Sequence, residues 1–153
     1  MEDFGPKEYR WTLAPGVSHH DVSDINGWGP GVALTAAYGI SNWWGLEFTP
    51  TLILSTDGLH NFSGPAGDLG AMFTLVKGGD VLAIILSAGA TGILGSDSDG
   101  SLLAKGGAYA AARAHLWLSD WAGLYVRGTG RFFNDGSLGA SGAAGLAVRF
   151  GRP

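Results

Sequence analysis

Between residues 138 and 150 the chain reads LGASGAAGLAVRF. One parity carries Leu138, Ala140, Gly142, Ala144, Leu146, Val148 and Phe150; the other carries Gly139, Ser141, Ala143, Gly145, Ala147 and Arg149. Successive Cβ atoms of an extended strand point to opposite faces, so this alternation is a strand with one greasy and one small or polar side. The same period runs through GPGVALTAAYGI, where Val32, Leu34, Ala36, Tyr38 and Ile40 alternate with smaller residues. It runs again through WWGLEFTPTLIL, where Trp44, Leu46, Phe48, Pro50, Leu52 and Leu54 alternate with Gly45, Glu47, Thr49, Thr51 and Ile53. No window keeps apolar residues at helical spacing over three turns, and glycine recurs every few residues. Such a chain is confined to sheet.

Alternating segments fall near 7–18, 28–40, 44–55, 68–76, 81–93, 102–118, 122–133 and 138–150, about eight strands. Their connections alternate in length. Short ones lie at Ser41–Trp43, Lys77–Asp80 and Ser119–Trp121; longer ones are HHDVSDIN, TDGLHNFSGPAG, GSDSDG and the surroundings of NDG. A meander with one trimmed and one looped end is the pattern of a membrane barrel. ISNWWGLEF (40–48) and LSDWAGLYV (118–126) echo one another. Setting Ile40 opposite Trp44 and Leu118 opposite Ala122 leaves a three-residue turn in each, so two hairpins agree on one register. VLAIILSAGATGIL is apolar on both faces, and there Ser87, Gly89 and Thr91 are placed inward.

The faces must then be given a solvent. Charged residues make up 14% of the chain and hydrophobic ones 46%, whereas a soluble domain carries roughly 25% charge. No run approaches 18 apolar residues, which excludes a transmembrane helix. The face opposite the large apolar side chains carries Arg10, Glu47, Lys105, Tyr109, Arg113, His115, Arg127, Arg131 and Arg149, separated by Gly, Ala, Ser and Thr. A face in water would be dense in Lys and Glu instead. Two arrangements compete: a soluble lipocalin-like calyx with its apolar face inside, and a membrane barrel with acyl chains outside and charges filling the lumen. The composition favours the second. A net charge of -4 without a basic cluster argues against nucleic acid, and zero cysteine excludes disulfides and thiolate metal sites. The opening MEDFGPKEYR has no apolar core, so no signal peptide is read there.

Aromatic residues give an independent test. Tyr9, Trp11, Tyr38, Trp43, Trp44, Trp117, Trp121 and Phe150 lie near the short-turn or terminal ends of their strands; Trp28, Phe62, Phe132 and Phe133 lie toward the long connections. Amphipathic rings collect at the two edges of an apolar band, so these are expected to form two interface girdles. By strand count, alternating turns, girdles and the ending LAVRF, the chain over about residues 7–150 resembles the small eight-stranded outer-membrane barrels of the OmpA/OmpX type. It departs from them in carrying Gly151, Arg152 and Pro153 after the closing phenylalanine. The expectation is one all-β domain over 1–153, an eight-stranded antiparallel up-and-down transmembrane β-barrel. It is expected to be a monomer in an outer membrane, with the lipid bilayer, or detergent in its place, as partner. The resemblance also implies a lumen closed by Arg–Glu pairing.

Glu47 is read as the only acid well inside a strand on a lumen face, within reach of Arg113, Arg127, Arg10 and Arg149. Unpaired charge in a narrow lumen is costly, so pairing is expected. The role that follows is a structural scaffold with a filled, Arg-rich lumen; the alternatives are a narrow gated pore, a lumenal anion site and the soluble calyx. Other candidates are weaker. His19, His20 and Asp21 could hold a metal with Asp24 and His60 only if the histidines lie in a loop. His115 with Ser119 or Asp120 suggests a hydrolase, and Asp97 with Asp99 in GSDSDG a calcium loop that lacks EF-hand spacing. GPAGDLGA has no Lys-Ser or Lys-Thr after it and is not a nucleotide loop. No catalytic residue, metal or cofactor is expected.

Overall fold

The computed structural model describes residues 11–22, 27–40, 44–53, 64–78, 81–96, 102–134, 136 and 138–150. Eight strands follow in order: β1 (Trp11–Val22), β2 (Gly27–Gly39), β3 (Trp44–Ile53), β4 (Gly64–Gly78), β5 (Leu82–Ser96), β6 (Leu102–Trp117), β7 (Ala122–Phe133) and β8 (Leu138–Phe150). Each pairs antiparallel with the next, and β8 returns to β1 to close an up-and-down barrel.

The last three strands lie within a residue of the sequence reading. The first and fourth do not: β1 runs on to Val22 instead of ending at 18, and β4 begins at Gly64 instead of 68. HHDV and GPAG have turn composition, but neighbouring backbone holds both extended. His19 to Val22 lie opposite Gly139–Gly142 of β8 and Gly27–Pro30 of β2. Residues 23–26 alone are left between β1 and β2, and residues 54–63 between β3 and β4.

Three irregularities shape the wall. The register of β4 against β5 shifts between Thr74 and Val76, so Leu75 is an inserted bulge residue. On the near side of that bulge β4 turns its even-numbered residues inward, Asp68 and Met72, against the odd-numbered Ser87, Thr91 and Ile93 of β5. The other two are ladder gaps at prolines. Pairing of β1 with β8 skips Ala14 and Pro15, and pairing of β2 with β3 skips Leu34 and Thr35, opposite Thr49 and Pro50. Proline has no N–H to give a ladder.

Burial follows parity. Outside stand Val17, Leu46, Phe48, Leu69, Leu124 and Val126, each between 44% and 69% exposed. Inside, the lumen is layered. At the long-connection end Ile53, Ile93 and Phe133 pack together with Ala66. At the short-turn end Ala14, Trp117, Tyr125 and Ala147 pack with Ala143. Between them lies charge.

Candidate functional site

Strict alternation along β3 sends Glu47 inward, where it is 1% exposed. Register then sets Gly70, Gly89 and Tyr109 in a row beside it across β4, β5 and β6. The two glycines leave a corridor along which the Tyr109 hydroxyl reaches Glu47 Oε1 at 2.9 Å. A Cβ on Gly70 would collide with the Ala88 carbonyl and stand 2.7 Å from that hydroxyl, so glycine is required there. Arg113 Nη1 donates to Glu47 Oε2 at 2.7 Å, and Arg127 Nη2 to Oε1 at 3.0 Å.

A second carboxylate completes the network. Asp68 takes a fork from Arg131, Nε to Oδ1 at 3.1 Å and Nη2 to Oδ2 at 2.7 Å. Such two-point pairing is the strong geometry for guanidinium and carboxylate. Thr91 Oγ1 donates to Oδ1 at 2.6 Å, and Arg127 Nη1 to Oδ2 at 3.3 Å. Arg127 thus bridges both acids, and Arg131 Nη1 also donates to Ser141 Oγ at 2.6 Å. Every ion pair here has side chains no more than 6% exposed.

Of the lumenal residues expected from sequence, Glu47, Arg113, Arg127 and Arg131 meet in one cluster. Lys105 points inward but sits over the Phe133 ring, 5.5 Å from its centroid, in the long-connection layer. His115 is inward and stacked on Trp117 and Tyr125 at 5.3 and 5.9 Å. Arg149 does not join Glu47. Its guanidinium lies 4.3 Å over the Trp117 ring and its Nε donates to the Asp120 carbonyl at 2.7 Å, which places it at the short-turn mouth. Arg10 lies outside the described residues. Glu47 is not the sole lumenal acid, since Asp68 was missed, as was Tyr125 in the short-turn layer.

The aromatic expectations divide similarly. Trp11, Trp44 and Phe150 are outward and 42–43% exposed, with Trp11 tilted against Tyr38 at 4.8 Å and stacked on Phe150 at 6.4 Å. Trp121 is exposed at its turn and Phe132 outward at the opposite edge. Trp117 is a correction: it shares the parity of Arg113 and His115, is 9% exposed, and faces the lumen. Phe133 likewise turns inward. Trp43, Tyr9, Phe62 and the side chain of Trp28 lie outside what is described.

The weaker chemical candidates that fall on described residues lose their geometry. His19 and His20 are consecutive residues of strand β1, not of the loop that a shared metal would require; Asp24, His60, Asp97 and Asp99 lie outside the described residues. The ring nitrogens of His115 meet no hydrogen-bond partner, while Ser119 Oγ accepts from the Ala122 N–H at 3.1 Å, so no His–Ser or His–acid pair forms. GPAGDLGA proves to be the stretch of β4 that supplies Asp68.

Neither a protein-family model nor a curated protein matches the chain in sequence. Solved structures match it in fold. Neisserial surface protein A superposes with a TM-score of 0.70 at 14% identity, over 92% of this chain and 97% of that one. The N-terminal β-barrel domain of Pseudomonas aeruginosa OprF gives 0.66 at 13%, over 91% and 97%. A chain from the de novo design of transmembrane β-barrels gives 0.55 at 18%, over 92% and 96%. The fold is that of the small eight-stranded outer-membrane barrels, and identities this low carry architecture alone.

Proposed function

We propose that the protein spans an outer membrane as a closed, monomeric barrel that anchors its connections at the surface and does not conduct. The observation that carries this reading is the inversion of the wall: large apolar residues outside, buried ion pairs inside. In water that exterior would be one continuous sticky surface. In acyl chains it is solvated, and strands of ten to sixteen residues are long enough to cross. Closure is supported by the stacking of three layers, apolar, ionic and apolar, along the lumen. The outer-membrane neighbours support the location.

Two measurements test the reading. The barrel should require detergent and migrate differently on a gel with and without boiling; solubility in plain buffer with no shift would defeat the membrane claim. In planar bilayers the wild type should give no single-channel steps. Steps that appear only in Glu47→Ala would replace the plug by a gated pore.

A further inference from the structure

We propose that one acyl chain of a bilayer lipid seats in a groove on the outer wall across β6, β7 and β8, and is held there in preference to the rest of the wall. The proposal rests on the membrane reading above and adds a defined lipid site to it.

The groove has a volume of about 670 Å³, within the range of small-ligand sites. The outward residues that line it are Ala108 and Ala110 of β6, Gly130 and Phe132 of β7, and Leu138 and Ala140 of β8, all exposed. Register sets Ala110, Gly130 and Ala140 in one row and Ala108, Phe132 and Leu138 in the next. The second row lies directly beneath the connection between β7 and β8, so the groove opens at the edge of the apolar band. From there its floor continues down β6 as Ala112 and Ala114, until Leu116 opposite Leu124 ends it. Same-face neighbours are about 6.7 Å apart, so Ala108 to Ala114 span about 20 Å of strand. At a tilt of about 45° that is a depth of about 14 Å, close to the ~15 Å of hydrocarbon in one leaflet.

Two observations show that the hollow is not a by-product of folding. A Cβ on Gly107 or Gly123 would collide with the Phe132 or Leu116 carbonyl, so the chain's own packing requires glycine there. A Cβ on Gly128 or Gly130 would meet nothing among the described residues within 4 Å. Glycine inside a strand weakens it, and where the fold does not need it, it marks a place where another group comes close. Nor does facing lipid require small residues, since β3 shows Leu46, Phe48 and Leu52 on its outer face, 46–49% exposed. Lipid chains gain no hydrophobic advantage from one stretch of apolar wall over another. A groove offers them dispersion contacts on more than one side, which is how small residues favour association inside a membrane.

The dimensions choose the occupant. Two strand spacings separate β6 from β8, so the groove is about 10 Å wide and about 20 Å long. That is about 200 Å², far below the ~800 Å² that each partner gives to a stable protein interface. A single chain fits where a second barrel would find too little to hold.

The test places the barrel in palmitoyl-oleoyl phosphatidylcholine vesicles doped with a phosphatidylcholine that carries a diazirine in the upper half of one acyl chain. After irradiation, peptide mass spectrometry should find at least threefold more label on β6–β8 than on β3–β4. Gly130→Val fills the floor and supplies a further side chain to label, yet it should lower the β6–β8 signal at least threefold. Adding Ala110→Leu should bring that signal down to the level of β3–β4, while Leu69→Val on the far wall should leave it unchanged. Both groove variants should keep the heat-modifiable gel shift, so a lost signal is not a lost fold. Label spread evenly round the wall, or unchanged in Gly130→Val, would overturn the proposal. So would label that falls as protein is added while cross-linked barrel pairs rise, which would give the groove to a second copy. A barrel soluble in plain buffer without a gel shift removes the membrane reading and the site with it; an inserted, gel-shifted barrel with even label removes the site alone.

Discussion

Glu47 and Asp68 perform the same task with different reserves. Each is 1% exposed and each is ion-paired with two arginines, Arg127 being shared between them. The difference lies in what their arginines could turn to. Arg113, 2% exposed, has Glu47 as its carboxylate, and its other described bond reaches only the Met72 sulfur at 3.5 Å. Arg131, 8% exposed, also holds Ser141 and lies nearer the long-connection end. Losing a buried acid costs what its stranded partner cannot recover elsewhere, so two pairs of equal length need not be of equal worth.

That contrast can be broken in order of size. Glu47→Ala should cost most, about 3–5 kcal/mol, because it strands Arg113 at the sealed centre; a urea titration in detergent, read by the heat-modifiable gel shift, measures it. Asp68→Ala should cost less, about 3 kcal/mol, since Arg131 keeps a hydroxyl partner. An equal or larger loss there would remove the asymmetry. Arg127→Met should cost less again, about 1–3 kcal/mol, although Arg127 touches both acids. Its removal leaves two one-to-one pairs, Glu47–Arg113 and Asp68–Arg131, each balanced in charge. A loss greater than that of Glu47→Ala would show that bridging matters more than charge balance. Smallest is Tyr109→Phe, about 1 kcal/mol, one donor to a carboxylate that retains two others.

The same contrast marks how far the sequence could be read. Glu47 was visible because β3 alternates without a break, so parity alone turned it inward. Asp68 was hidden twice. GPAGDLGA has the composition of a connection and only its neighbours' backbone makes it a strand, and the bulge at Leu75 moves the inward face of β4 to even numbers. Neither is a property of the local residues. Trp117 shows two rules in conflict. Depth along the strand suggested an interface ring, parity put it with Arg113 and His115, and parity prevailed because it is fixed by backbone geometry, whereas girdle placement is only a preference. The boundaries of β6, β7 and β8 were readable because no proline interrupts these strands and a compact turn over 118–121 joins the first two.

The two proline gaps have a further consequence, for how the wall comes apart. Both flank one hairpin: β1 is incompletely laddered to β8 at Ala14–Pro15, and β2 to β3 at Leu34–Thr35, while β1 and β2 pair with each other along their whole length. The weak lines therefore run on either side of β1–β2 and not through it. A sub-global opening that releases this hairpin as one unit needs less free energy than unfolding the whole barrel. Its outward-bonded amides should trade hydrogen for deuterium as a group ahead of those in β5, β6 and β7, while those between β1 and β2 stay protected.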